Sequence, residues 1–401
     1  MRGLSSEHED FREFCRNVFE SLPRTDQRKC AEVYVAGLIR GTSRRSTRQM
    51  AAEVPGSRSS QSLQQFVNQS PWDPMPVRSR IAEAVTAGGA PAAWIVEEVF
   101  FPKSGRCSPA VERQYVPRLG RTVNGQLGAV LALTSRHRAA PVNWRLCLPA
   151  SWDADPQRRE RGRVPHDERH LPFWQYLIQL VDDPSVDWGV VPAPVVADLS
   201  HRPGASECLD ALEARGLDYL VQVSGSHRVP YPLTARRPTG VAASEARRPV
   251  GPVARLDELV RTLPSPPRTP TTWLHGPKGQ VLRSQFLALP VRTAGPDLRA
   301  GRPRRLLVDW PLSKPHPQRF WLTNLLDEPV ESLVELATSR WRVQQCLDEL
   351  DDQYGLSHYE GRSFLGWHHH VTLVAAAYAF HNRSRVGEAL PLADPVRALP
   401  A

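Results

Sequence analysis

Apolar positions in this chain shift from helical spacing to continuous runs and back again. Phe11, Phe14, Val18, Phe19 and Leu22 form one helical stripe. Ala31, Val33, Val35, Leu38 and Ile39 open a second apolar segment, so residues 8 to 90 are predicted to be helical. From residue 91 the pattern changes. Ala93 to Val96, Gly128 to Leu133 and Trp144 to Leu148 are short apolar runs bounded by turn residues, the signature of strands buried on both faces. A polar loop is expected from Asp153 to Asp167, then a helix around Pro172 to Leu180. Val195 to Asp198 (strand), Ala205 to Arg215 (helix) and Tyr219 to Val223 (strand) form a strand-helix-strand unit. Residues 225 to 328 are rich in Pro and Arg, with strands predicted at Gln280 to Val291, Arg304 to Asp309 and Phe320 to Leu322. Leu333, Leu336, Val343, Leu347 and Leu350 then fall at helical spacing, which puts Arg340, Gln344 and Asp351 on or near one face.

These patterns predict an α/β fold. Its parts are a helical region (1–90), a core (91–224), a β-rich insertion (225–328), C-terminal helices completing the core (329–388) and a loosely ordered tail (389–401). The stretch from Arg236 to Val253 reads as a surface loop.

Composition narrows the class only a little. At 41% hydrophobic and 23% charged, the chain reads as an ordinary globular protein. It has no apolar run of the roughly 18 residues that a membrane span needs, and Glu7, Glu9 and Asp10 stand where a signal peptide would be apolar, so a cytoplasmic protein with no membrane partner is expected. The six Cys residues lack CxxC spacing, so buried free thiols are expected rather than a zinc site or disulfides. The net charge of +9 suits a polyanion, and the preference for Arg over Lys suits phosphate. A GC-rich genome would write the same bias, so charge lends DNA only modest support.

Local motifs add candidates. Two short helices joined by the Pro55-Gly56-Ser57 turn could dock as a helix-turn-helix, turning Arg40, Arg44, Arg45 and Arg48 toward DNA. A charged helix face is more often simply solvated. Lys103 either contacts a phosphate or pairs with Glu98. His368-His369-His370 looks like a metal cluster, but consecutive helical side chains diverge by about 100° and cannot converge on one ion, so packing and backbone contacts are expected.

The ordered series Phe101-Pro102-Lys103-x-Gly105, Arg113-Gln114-Tyr115, Leu119-Gly120, Asn124-x-Gln126, Leu148-Pro149-x-x-Trp152 and Leu212-Glu213-x-Arg215-Gly216-Leu217 resembles the DDE transposases of the insertion-sequence 701 group, within the insertion-sequence 4 superfamily. The Ser70-Pro71-Trp72-Asp73 run and the segment after Arg340 extend the resemblance over about residues 10 to 385. It implies an RNase H-like catalytic core with a helical DNA-binding domain and a β-rich insertion. The family's chemistry uses two Mg²⁺ ions, held by three carboxylates. Here the resemblance places the first acid at Glu97 (followed by Glu98 and Val99), the second at Asp198 (followed by Leu199, Ser200 and His201) and the third at Gln344. Only Asp198 keeps the family's residue. Glu97 moves its charge about one methylene outward, beyond the tolerance of about 0.5 Å of a catalytic constellation, and Gln344 carries no charge.

The expected function is therefore a domesticated, transposase-like DNA-binding protein with a degraded site, needing no cofactor. Two other readings stay open. One is an active transposase in which Glu360 supplies the third carboxylate and Glu97 and Asp198 hold Mg²⁺. The other is a repurposed fold in which Glu97, Glu98, Asp198 and His201 transfer protons on a small molecule without metal. DNA is the expected partner, with Arg340 and Lys103 among its contacts, and a homodimer is possible by family analogy.

Overall fold

The computed structural model describes residues 2–41, 46–53, 59–135, 138–230, 253–262, 269–275, 280–293 and 302–383. The Pro55-Gly56-Ser57 turn, Arg44, Arg45, the 389–401 tail and the predicted loop from Arg236 as far as residue 252 lie outside the described residues.

In chain order the elements are α1 (Arg2–Val18), α2 (Thr25–Arg40), α3 (Thr47–Glu53), α4 (Ser60–Asn68), α5 (Pro74–Thr86), β1 (Ala93–Pro102), β2 (Glu112–Val116), β3 (Arg121–Thr134), β4 (Ala139–Leu146), α6 (Ala150–Asp153), α7 (Pro156–Gly162), α8 (Phe173–Asp182), β5 (Val195–Asp198), α9 (Ala205–Ala214) and β6 (Tyr219–Val223). There follow β7 (Arg228–Pro230), β8 (Val253–Arg255), α10 (Leu256–Thr262), β9 (Thr269–His275), β10 (Gln280–Thr293), β11 (Arg302–Pro311), β12 (Arg319–Thr323), α11 (Val330–Thr338), α12 (Arg340–Tyr354) and α13 (Phe364–Arg383). No described helix is long and apolar enough to cross a membrane.

The chain divides into two compact units. The first comprises residues 1–171, 179–192 and 342–401. Its sheet is built on β3, which pairs antiparallel with β1 along one edge and with β2 and then β4 along the other. Helix α13 is buried nearly all round, from Trp367 to Ala377, and forms the centre of this unit with β4, α2, α4 and α5 packed around it. The N-terminal helices start where the sequence signals a start. Asp73 caps α5 by accepting from Met75 N (2.9 Å), with Pro74 in the first turn, and Ser59 caps α4 at Ser62 N. The expected stripe of Phe11, Phe14, Val18, Phe19 and Leu22 is buried, whereas Val33 and Ile39 are only half-buried.

The second unit comprises Pro172–Ile178 and Ala193–Trp341. Here β5 and β6 run parallel through the α9 crossover, and β12, β11, β10 and β9 continue antiparallel from β6. The mixed α/β architecture, with antiparallel strands first in the chain and the β5-α9-β6 unit after, is RNase H-like.

Three details differ from the sequence reading. The polar stretch after Asp153 is not all loop: Asp155 caps α7 at Arg158 N (3.0 Å), with Pro156 behind it. The helix expected from Leu333 to Leu350 is broken at Ser339, whose N–H is shared between Glu335 O and Leu336 O while its hydroxyl donates back to Leu336 O (2.5 Å). Such back-bonding bends helices. Cys107 is exposed, whereas the other five thiols are buried as expected, and none of the six forms a disulfide.

Candidate active site

Asp198 ends β5, directly opposite Gln222 of the parallel strand β6. Both of its carboxylate oxygens are engaged. Oδ1 accepts from the backbone N–H of Ser200 (2.9 Å) and from its hydroxyl (2.6 Å), and Oδ2 accepts from Arg340 Nη1 (3.0 Å). The same guanidinium donates to Gln222 Oε1 (3.2 Å). Burial opposes ionisation of Asp198, but the Arg340 charge and the Ser200 hydrogen bonds outweigh it and hold the carboxyl below its ordinary value. Arg319, at the start of β12, lies close enough to feel the charges of both Asp198 and Arg340.

Arg319 is itself anchored. Its Nη1 donates to Oδ2 of the fully buried Asp309 (2.9 Å), whose other oxygen accepts from the Ser284 hydroxyl. Burial lowers the pKa of Arg319 and raises that of Asp309, each partly countered by the other. Neither Gln222 nor Arg319 stood out in the sequence. Gln222 follows from pairing two short apolar strands in register with Asp198, whereas nothing local marks Arg319.

The other sequence candidates are dispersed. Glu97 is buried on β1 opposite Val130, and Glu98, half-buried, points to the other face opposite Ala129. Glu97 shares its strand face with Phe101, whose ring meets Trp367 of α13 edge-on (5.3 Å between centroids). His201 is exposed in the turn after β5. Gln344 is half-buried one helical turn beyond Arg340 on α12. Asp351, three turns on, accepts from the Ser357 N–H (2.8 Å), so it organises the chain after α12 rather than merely ending a solvated helix. Arg40 and Arg48 are exposed.

Lys103 follows β1 and donates to Tyr359 O (2.6 Å) and Ser357 O (3.4 Å). Burial brings its pKa down to about 8, against the charges of Glu360 and Asp351. Lys103 and the exposed Glu360 are thus neighbours.

The histidine run diverges as helical geometry requires. His368 Nδ1 faces Arg78 Nη2 (3.0 Å), His369 lies between Val67 O and Trp72 O (2.8 Å each), and His370 meets Tyr34 OH (3.0 Å) and Leu356 O (3.1 Å). These contacts hold α13 in place and leave no convergent donor set.

A two-ion site needs anionic oxygens converging from three directions. Among the described residues no three His, Cys, Asp or Glu side chains are grouped to hold a metal ion. At two of the positions expected from the sequence to hold acids, Asp198 has both oxygens engaged and Gln344 offers only a neutral carbonyl oxygen, a donor set that does not fit that pair of ions.

Comparison with known proteins agrees with the fold. A "Probable transposase for insertion sequence element IS701" from Microchaete diplosiphon is 24% identical over 189 residues, 46% of each chain. The chain thus matches about half the length of that relative. The family described as DDE superfamily endonuclease matches residues 17–280, more than half of the chain. That match, over more than half of the chain, places it in the DDE superfamily endonuclease family.

Proposed function

We propose that this chain is a transposase-derived DNA-binding protein that no longer cleaves DNA by the two-metal route. The observation that carries the reading is the closed state of Asp198, its oxygens taken by Ser200 and Arg340, with an uncharged Gln344 one turn along the helix. A cation arriving there would have to displace a guanidinium, and it would find one engaged carboxylate and an amide where hard divalent ions demand several anionic oxygens. The basic excess of the chain and its family membership supply the DNA part of the reading.

Calorimetry with Mg²⁺ and Mn²⁺ on the wild type and on Gln344→Glu tests it, with end-labelled DNA cleavage on the same samples. The expected result is no metal heat and no nicking for the wild type, with metal binding gained by Gln344→Glu. Metal-dependent nicking by the wild type refutes the proposal and makes Glu360→Gln the next variant to assay.

A further inference from the structure

A cleft of about 790 Å³ opens in the first unit. One wall is the outer face of α4. Leu63, Phe66 and Val67 anchor that helix, leaving Gln61, Gln64 and Gln65 exposed along the cleft. The opposite wall holds the chain after α12, with Arg362, and the end of α7, with Arg161 and Arg163.

The walls are locked together. Tyr359 OH donates to Asn68 Oδ1 (2.7 Å) and Ser363 Oγ donates to Asn68 O (3.0 Å). Gly361 fits only because it has no side chain, since a Cβ there would stand 2.0 Å from Asn68 Oδ1. Asn68 is therefore spent on structure, its amide nitrogen donating back to Gln64 O (3.1 Å). The amides of Gln61, Gln64 and Gln65 have no hydrogen-bond partner among the described residues, and the three guanidinium groups form no ion pair there. One carboxylate, Glu360, faces the same cleft, with the Lys103 charge close to it.

Small-molecule pockets are mostly apolar, and this one is lined by amides, hydroxyls and guanidinium groups. Three cations against one carboxylate call for an anion, and a row of unspent amides calls for a ligand that presents paired donors and acceptors. A nucleic acid strand offers both: phosphates for Arg, and adenine edges for the bidentate amide of Gln. We infer that this cleft holds a strand of DNA, with Arg161, Arg163 and Arg362 on its phosphates and Gln61, Gln64 and Gln65 reading its bases. The inference rests on the DNA-binding function proposed above and adds the location and the reading residues.

The test uses the full chain and random-sequence DNA, duplex and single-stranded, titrated by fluorescence anisotropy across potassium chloride concentrations, with folding checked by circular dichroism. Replacing Arg161, Arg163 and Arg362 by Gln should weaken binding by about 10-fold or more. It should also reduce the slope of log affinity against log salt by about 2 to 3, at roughly 0.7 to 0.9 per phosphate contact. The probe on which this happens identifies the strand as duplex or single. A charge-matched control replaces Arg106, Arg113 and Arg121, which are exposed and outside the cleft, and should leave most of the slope.

Gln64→Ala should keep the slope and lose about 5- to 150-fold discrimination at an adenine in sequences selected by the wild type. Glu360→Gln, a change at an exposed side chain, should tighten binding by up to about 5-fold. If the wild type binds DNA while the cleft triple behaves as the control does, the cleft inference fails and the proposed function stands. If the wild type binds neither probe, both fall.

Discussion

The sharpest physical prediction concerns acid. His370 is buried between donors and acceptors that suit a neutral ring: its Nε2–H donates to the carbonyls of Leu356 (3.1 Å) and Gly355 (3.2 Å), and its Nδ1 accepts from Tyr34 OH. Burial, helped by the Lys103 charge, brings its pKa down from 6.5 to about 4. His368 is held the same way, with Nδ1 turned to the Arg78 guanidinium, and burial and the Arg78 charge lower its pKa well below 6.5.

The sign follows from linkage. A base whose folded pKa is depressed is neutral in the folded chain while the unfolded chain takes up a proton, so stability is complete above about pH 6.5 and falls as pH drops toward the folded value. The drop from 6.5 to about 4, at about 1.4 kcal/mol per pH unit, makes the full His370 contribution roughly 3 kcal/mol, most of which is lost by pH 4.5. His368 adds to the same loss. His369 faces two carbonyls, both of which an imidazolium would satisfy, so its share is smaller and stays out of the sum.

The assay is urea unfolding followed by tryptophan fluorescence at pH 7.5 and pH 4.5, for the wild type and for His370→Gln. The loss common to both, from carboxylates and from His368, cancels. The wild type should lose roughly 2 to 3 kcal/mol more than the variant between the two pH values, against a total typically of about 5 to 15 kcal/mol. Equal losses would mean that the His370 ring is already charged, or hydrated, in the folded state, and the account of α13 as a helix pinned by neutral rings would be wrong.

Two further outcomes follow from packing. Gly361→Ala drives a Cβ to 2.0 Å from Asn68 Oδ1 and 2.1 Å from Tyr359 OH, which should cost about 1 to 3 kcal/mol by thermal unfolding; an unchanged melting temperature would show that the α4 wall gives way. Arg319→Met strips the buried Asp309 of its cation and should cost about 3 to 5 kcal/mol in urea, with Arg319→Met/Asp309→Leu recovering part of it. A single variant as stable as the wild type would mean that Asp309 is protonated in the folded chain.

Much of the fold was legible because the β5-α9-β6 unit is written in short runs with one period each: Val195 to Ala197 are buried, Cys208, Leu209 and Leu212 line one face of α9, and Tyr219 to Val221 are buried. Helix α7 was not, because its sequence, Pro-Gln-Arg-Arg-Glu-Arg-Gly, has no apolar stripe and buries only Arg159 and Gly162. Its signal was the cap, Asp155 followed by Pro156. The break at Ser339 hides for a different reason, since apolar spacing continues through it and only a hydroxyl turned back on Leu336 marks the bend. The cleft was invisible because residues 61–65, 161–163 and 358–363 meet only through tertiary contacts. The histidine run was readable from helical geometry alone, which forbade convergence before any partner was known.

The groups that secure α13 and those at the positions expected from the sequence to hold acids are different sets. His368 and Thr372 contact Arg78, His369 reaches Val67 and Trp72, and His370 reaches Tyr34 and the chain after α12. None of these contacts involves Glu97, Asp198 or Gln344. The Gln344 amide has the shape of a carboxylate without its charge, so Gln344→Glu should disturb packing little. A carboxylate there would stand one helical turn from Arg340, where opposite charges attract, and would compete with Asp198 for the guanidinium. The amide leaves Arg340 to Asp198 and Gln222, which is the arrangement observed. On the function proposed above, the amide that offers a divalent ion no anionic ligand is thus also the group that leaves the Arg340–Asp198 ion pair undisturbed.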